Sequence, residues 1–349
     1  MTGTTEHTTL RKAFVTEAGD RFEHAPVAYK TWGQLNRRRD NVVIICHALT
    51  GNVHADEWFP GLFEKDGPID PNEHFVICIN VPGSCYGSLG PLTTRPETGH
   101  PWRSSFPEIT IRDMVHFQQL LLDQLEIEGV ETILGGSMGG MQALEFMLMD
   151  HRIRSAIPMA MGLAHTPWAI GISHVQRQAI FQDPNWKGGE YSDAAPPNQG
   201  LSTARMIAMI TYRAPEDYEK KFGRRIQPEN NLYQVESYLN YQGEKLTKRF
   251  DANSYIALTR AMDRHDITRG RGNASEILSK VEIPVLVVGI DTDLLYPVQE
   301  QKELARLLPN GSFAEIHSIH GHDAFLIEFD QLKGLTKPFF ENRQTTLSR

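Results

Sequence analysis

Two hydrophobic patterns alternate along the chain. Runs that are largely apolar occur at residues 41–46, 74–80, 132–134, 153–160 and 283–289, and a more mixed run at 313–319 reads as the last strand. Short, β-branched, unalternated runs of this kind predict parallel strands buried on both faces. Between them, apolar residues recur at helical spacing. Ile111, Met114, Val115, Leu121, Leu122 and Leu125 do so behind Thr110, a residue able to cap a helix, and Met141, Leu144 and Leu148 do so after the run ending at Leu134. Residues 26–32 alternate instead, which predicts an antiparallel strand at a sheet edge. Strands alternating with helices define an α/β class, with a mostly parallel sheet and helices on both faces.

The interval from residue 160 to the strand near residue 285 breaks this rhythm. A strand–helix–strand unit needs about 30 residues, and this interval is several times longer. It carries its own helix signals. Ser202 or Thr203 can cap a run through Met206, Met209 and Ile210, and Pro215-Glu216-Asp217 precedes Gly223 as a helix start precedes its stop. Residues 235–250 and 255–262 are helical too. The chain therefore divides into a core segment, 1–163, a helical lid insertion, 164–273, and a second core segment, 274–349. An insertion beyond a strand end is placed to cover a site.

Composition narrows the classes. With 349 residues the chain is long for one core and suits a core plus an insertion. Apolar content of 40% and charged content of 22% are those of a folded, water-soluble chain. A net charge of −8, without long runs of like charge, argues against nucleic acid or an anionic membrane as main partner. The run Arg37-Arg38-Arg39 reads as a solvated turn. The three cysteines lack metal or redox spacing, and Cys46 and Cys78 sit inside apolar runs as small core residues. With no charged-then-apolar leader and no membrane-length apolar run, a cytoplasmic location is expected.

The chemistry centres on Gly135-Gly136-Ser137-Met138-Gly139-Gly140, which follows a buried strand and opens a helix. A hydroxyl at the apex of such a strand-to-helix turn sits in a strained backbone, and close neighbouring chains leave no room for side chains at the flanking glycines. The turn lifts Ser137 clear of the sheet and aims the Met138 amide, at the helix N-terminus, where an oxyanion would develop. A serine hydroxyl needs a base, and the base an orienting carboxylate. The loop after residue 288 offers Asp291 and Asp293, and the loop after residue 319 offers His320 and His322. Serine, acid and histidine thus follow in the order a nucleophile elbow requires. The loop after the first buried run, His47-Ala48-Leu49-Thr50-Gly51, is placed to give a second oxyanion donor, the Leu49 amide. The cluster of His317, His320, His322 and Asp323 has no metal-ligand spacing, and no metal is expected. Gly270-Arg271-Gly272 lacks the third glycine and the preceding strand of a dinucleotide site.

Taken with Gly83-Ser84-Cys85-Tyr86-Gly87-Ser88-Leu89-Gly90-Pro91, Val235-Glu236-Ser237-Tyr238-Leu239, Asp293-Leu294-Leu295-Tyr296-Pro297 and Gly321-His322-Asp323, these residues resemble the homoserine O-acetyltransferase family over about residues 10–330. These are acyltransferases of methionine biosynthesis with the α/β-hydrolase fold. The resemblance implies Ser137 as nucleophile, Asp293 rather than Asp291 as acid, and His322 rather than His320 as base. It also implies substrate contacts by Arg205 and Asp323. A guanidinium can grip the α-carboxylate of homoserine, and a carboxylate can pair with its α-ammonium. The implied reaction is ping-pong acetyl transfer from acetyl-CoA, a co-substrate, to L-homoserine, without a bound cofactor, in a homodimer. This chain departs from the family pattern at Ser84, commonly a glycine, at Leu89, commonly a hydroxyl residue, and at Thr292, usually a serine. Another acyl donor or acceptor, such as succinyl-CoA or serine, is the nearest alternative, and a plain esterase is a more distant one.

Overall fold

The run at residues 42–46 shows how the sheet is built. In β-structure successive side chains point to opposite faces. Val42, Ile44 and Cys46 enter one apolar cluster, and Val43 and Ile45 enter another on the far side. A strand buried on both faces cannot alternate in polarity, and this one does not.

The computed structural model describes residues 3–63 and 67–347. The chain opens with β1 (Thr4–Thr9), the short hairpin β2 (Phe14–Val15) and β3 (Arg21–Phe22), then β4 (Pro26–Trp32) and β5 (Val42–Cys46). Two short helices, α1 (Ala55–Trp58) and α2 (Pro60–Phe63), lead to β6 (Phe75–Ile79). Next come α3 (Ile111–Gln124), β7 (Val130–Gly136), α4 (Met138–Met149) and β8 (Ala156–Met159). The helices α5 (Pro167–Phe181), α6 (Asn198–Thr211), α7 (Pro215–Lys221), α8 (Gln234–Thr247) and α9 (Ala252–Asp263) intervene before the sheet resumes. The chain continues through α10 (Ala274–Leu278), β9 (Val285–Ile290), α11 (Val298–Leu307), β10 (Gly311–Ile316) and α12 (Phe329–Leu347).

The main sheet runs β1-β4-β6-β5-β7-β8-β9-β10. From β6 to β10 all pairings are parallel, and β4 is antiparallel to both β1 and β6. β4 is therefore an inner strand, contrary to the edge position expected. The edge is β1, Thr-Thr-Glu-His-Thr-Thr, whose polar, mostly exposed residues leave no hydrophobic trace in the sequence. The side chains of α3 and α4 fill one face of the sheet, together with residues of α5, α6 and α9. Those of α1, α2 and α12 fill the other.

Thr110 caps α3 as expected, its hydroxyl taking the Asp113 amide while the Asp113 carboxylate takes the Thr110 amide. Such reciprocal caps contribute about 1 kcal/mol. The expected Ser202 or Thr203 start of α6 is not found. That helix begins at Asn198, and Asp183 caps it from a distance by accepting the Gly200 amide at 2.7 Å. No helix among the described residues is long and apolar enough to cross a membrane.

Candidate active site

Ser137 joins β7 to α4 with φ 57° and ψ −125°. A non-glycine residue here carries about 1–3 kcal/mol of backbone strain, which surrounding structure must hold. The neighbours do so. The Ser137 amide donates to the Met159 carbonyl at 3.0 Å, and its carbonyl accepts the Met141 amide at 3.0 Å. A Cβ on Gly139 would stand 2.2 Å from the Cys46 carbonyl oxygen, and one on Gly135 would stand 2.6 Å from the Gly139 backbone. Both glycines are thus steric necessities. The helix that follows is buried on nearly every side, so the single face expected from Met141, Leu144 and Leu148 understates its burial.

Asp293 and His322 come from the loops after β9 and β10. His322 Nδ1 and Asp293 Oδ2 are 2.6 Å apart, with both side chains almost fully enclosed. Asp293 Oδ1 takes the amides of Leu295 and Tyr296, at 2.8 and 2.9 Å, which fixes the carboxylate's orientation. Burial works against the protonated imidazole, but the charge and hydrogen bond of Asp293 outweigh it, so the His322 pKa stands above its ordinary value. The other ring nitrogen, Nε2, is buried without a partner among the described residues. Phe325 joins this ring to the elbow. It packs edge-on to His322 at 5.7 Å, and its ring occupies the space a Cβ on Gly136 would need.

The competing acid and base lie elsewhere. Asp291 faces His317 at 3.1 Å, and His320 faces Asp217 at 3.0 Å. The three histidines of the C-terminal cluster thus turn to three different carboxylates. No metal-holding group of histidine, cysteine, aspartate or glutamate is found among the described residues. Thr292 links the acid and base loops. Its hydroxyl donates to the Ser318 carbonyl at 2.5 Å and accepts the Gly321 amide at 3.2 Å.

The loop carrying Leu49 is closed by the Gly51 amide, which donates to the Ala48 carbonyl at 2.9 Å. Its anchor is His47, which sequence reasoning passed over. This fully buried ring accepts the Val81 amide at Nε2, 3.2 Å, so Nδ1 carries the proton and donates to the Ala48 carbonyl at 2.9 Å. Burial pushes its pKa down to about 4, which keeps it neutral. Gln142 completes the brace, with Nε2 donating to the carbonyls of His47 and Met138, each at 3.1 Å. One α4 side chain thereby ties the start of the loop carrying Leu49 to the first turn of α4.

The helices between β8 and β9 add neighbours to His322. Tyr212, just past the end of α6, packs its ring 5.6 Å from that of His322, and the Arg205 guanidinium lies 5.6 Å from the centre of the Tyr212 ring. Asp323 follows the candidate base and donates its amide to the Tyr212 carbonyl at 3.1 Å. The two residues named for substrate contact therefore both neighbour Tyr212, Arg205 at its ring and Asp323 at its backbone carbonyl. Tyr212 and Arg213 gave no signal in the sequence, because their importance lies in contacts to residues about a hundred positions away.

Residues 41–329 match the family model of the alpha/beta hydrolase fold, which sets the class of this protein. The chain is 47% identical to the homoserine O-acetyltransferase of Chlorobium chlorochromatii (strain CaD3), over 95% of this chain and 94% of that one. It is 48% identical to that of Nostoc punctiforme, over 93% and 92%. The crystal structure of homoserine O-acetyltransferase from Bacillus anthracis superposes with a TM-score of 0.90 at 27% identity, covering 97% of this chain and 98% of that one. The chain belongs to the homoserine O-acetyltransferase family, and it is an acyltransferase.

Proposed function

We propose that this enzyme transfers an acetyl group from acetyl-CoA to the hydroxyl of L-homoserine by a ping-pong reaction, within methionine biosynthesis. His322 Nε2 takes the proton of Ser137 as the hydroxyl attacks the thioester carbonyl, and Asp293 stabilises the imidazolium. The amides of Leu49 and Met138 hold the oxyanion. Coenzyme A leaves as its thiol with the proton from His322. Homoserine then enters, His322 takes its hydroxyl proton, and the freed oxygen attacks the acetyl-serine ester. O-acetyl-L-homoserine is released and Ser137 is restored. No metal or bound organic cofactor takes part.

The observation that carries the acceptor is the pairing of Arg205 and Asp323 about Tyr212 beside His322. A cationic and an anionic residue that both neighbour Tyr212 beside His322 suit an α-amino acid, whose carboxylate and ammonium need opposite partners. An ester hydrolase is the second reading. The acetylester hydrolase of Corynebacterium glutamicum shares this architecture with a TM-score of 0.86 at 25% identity. Hydrolysis, however, gives that charged pair no task. Incubation with acetyl-CoA or succinyl-CoA, against homoserine, serine or no acceptor, separates these readings. Thiol release from acetyl-CoA that depends on homoserine is expected, and sustained release without any acceptor would favour the hydrolase.

We also propose a homodimer formed through the lid, in the cytoplasm. Trp168, Val175, Ile210 and Tyr241, each more than half exposed, are large apolar side chains on α5, α6 and α8. Light scattering is expected to give twice the chain mass of 39.5 kDa.

A further inference from the structure

A carboxylate that is to receive an ammonium in a partly enclosed site must stay ionised and correctly aimed before the ammonium arrives. Asp323 sits in such a place, its side chain 19% exposed. Arg213, two residues beyond the end of α6, faces it with Nε 3.2 Å from Oδ2. The contact is an ion pair and not a hydrogen bond, since Nε has no hydrogen-bond partner among the described residues. The guanidinium is itself held, since Nη1 donates to Asp217 Oδ2 at 3.3 Å. Asp217 Oδ1 in turn lies 3.0 Å from His320 Nδ1, which is also 3.4 Å from Arg213 Nη1. A four-membered ladder, His320–Asp217–Arg213–Asp323, thus runs from the base loop into the lid and back.

The backbone leaves this ladder little freedom. Asp323 donates its amide to Tyr212, and a Cβ on Gly321 would come within 2.7 Å of the Ala214 nitrogen and 2.8 Å of the Arg213 carbonyl carbon. Residues 212–214 and 321–323 therefore pass each other at backbone contact. The Arg213 stem is fixed relative to the carboxylate it faces.

We infer that Arg213 is a positioning residue for the amino group of the acceptor, orienting Asp323 through Oδ2 so that Oδ1 meets the ammonium. The inference rests on the homoserine reading above. Burial pushes the Asp323 carboxyl up, and Arg213 is the first of the charges that oppose it. The guanidinium lies at Oδ2, so an ammonium arriving at Oδ1 meets the anion and not the competing cation. Asp217 keeps the fork from swinging toward the substrate carboxylate, which Arg205 is left to bind.

The test compares two acceptors and the acylation step. 4-Hydroxybutyrate has the hydroxyl and carboxylate of homoserine but no amine. In Arg213→Gln, the KM for homoserine is expected to rise about 10–100-fold, the loss of one charge-assisted contact. The burst of thiol from acetyl-CoA and kcat/KM for 4-hydroxybutyrate should stay within about twofold of wild type. Arg213→Lys should recover part of the homoserine KM, because it restores the charge without the fork. Asp217→Asn should show the same acceptor-selective rise on a smaller scale, and it carries the test should Arg213→Gln fail to fold. Equal losses with both acceptors, or a slowed thiol burst, would overturn the positioning role and leave the acceptor reading intact. A wild-type enzyme that shows the burst yet acetylates neither acceptor would overturn both.

Discussion

The elbow and the lid approach the same histidine by opposite means. The elbow is held by backbone: glycines pressed against the Cys46 and Met159 carbonyls, and a strained Ser137 pinned through its own amide and carbonyl. The inserted helices meet the histidine's loop through one backbone contact, at residues 212–214, and then through side chains, with Arg205 on Tyr212, Tyr212 on His322, and Arg213 spread between two aspartates. A backbone cradle admits almost no variation, so it suits the step that every acyl transfer shares. Side-chain contacts can be exchanged one at a time, which suits the choice of acceptor. In this molecule reactivity is proposed to reside on the sheet and selectivity on the lid.

That division can be broken by substitution. Removing the hydroxyl in Ser137→Ala should lower the rate of thiol release by about 10⁵-fold or more, and a normal rate would end the scheme. Gly139→Ala should cost about 3 kcal/mol of stability, because the Cys46 carbonyl at 2.2 Å belongs to an inner strand that cannot retreat. Its urea midpoint measures that loss, and an unchanged midpoint would refute the steric account. Arg205→Lys should raise the KM for homoserine about 10–100-fold, with the acylation burst untouched. A slowed burst would place Arg205 in the shared chemistry instead.

The smallest effect is on pH dependence. His322 must be neutral to accept a proton, and its pKa is raised. The acylation rate should therefore fall as pH drops through a value above the usual 6.5 or so of histidine. Removing the Asp293 charge, in Asp293→Asn, should move that limb to lower pH. Folding should respond in a different window. His47, with its pKa depressed to about 4, and His165, depressed to about 3 by burial, contribute stability above the ordinary histidine value. That contribution is lost as pH falls toward those depressed values. Urea midpoints between pH 7 and 4 record it.

Much of the sheet was legible because strands buried on both faces cannot hide their composition. The elbow was legible because its glycines are a steric demand, while chain order narrowed the acid only to Asp291 or Asp293 and the base only to His320 or His322, the choice between them resting on the family resemblance. What escaped had no local signal. β1 is a polar strand that takes its place by pairing with β4. The α6 start depends on Asp183, fifteen residues upstream of Asn198. His47 reads as an ordinary loop histidine until the Val81 amide fixes its tautomer. Arg213 is one arginine among many until chain folding brings Asp323 to it.

The contact between Gly321 and the Arg213–Ala214 backbone bears on how such enzymes can be recombined. A lid taken from a relative would arrive with its own path through residues 212–214, and the loop bearing the histidine has been shaped to that path. Exchanging the insertion alone would displace His322. The smallest portable unit is the insertion together with the loop at 320–323, two pieces distant in the gene and inseparable in the molecule.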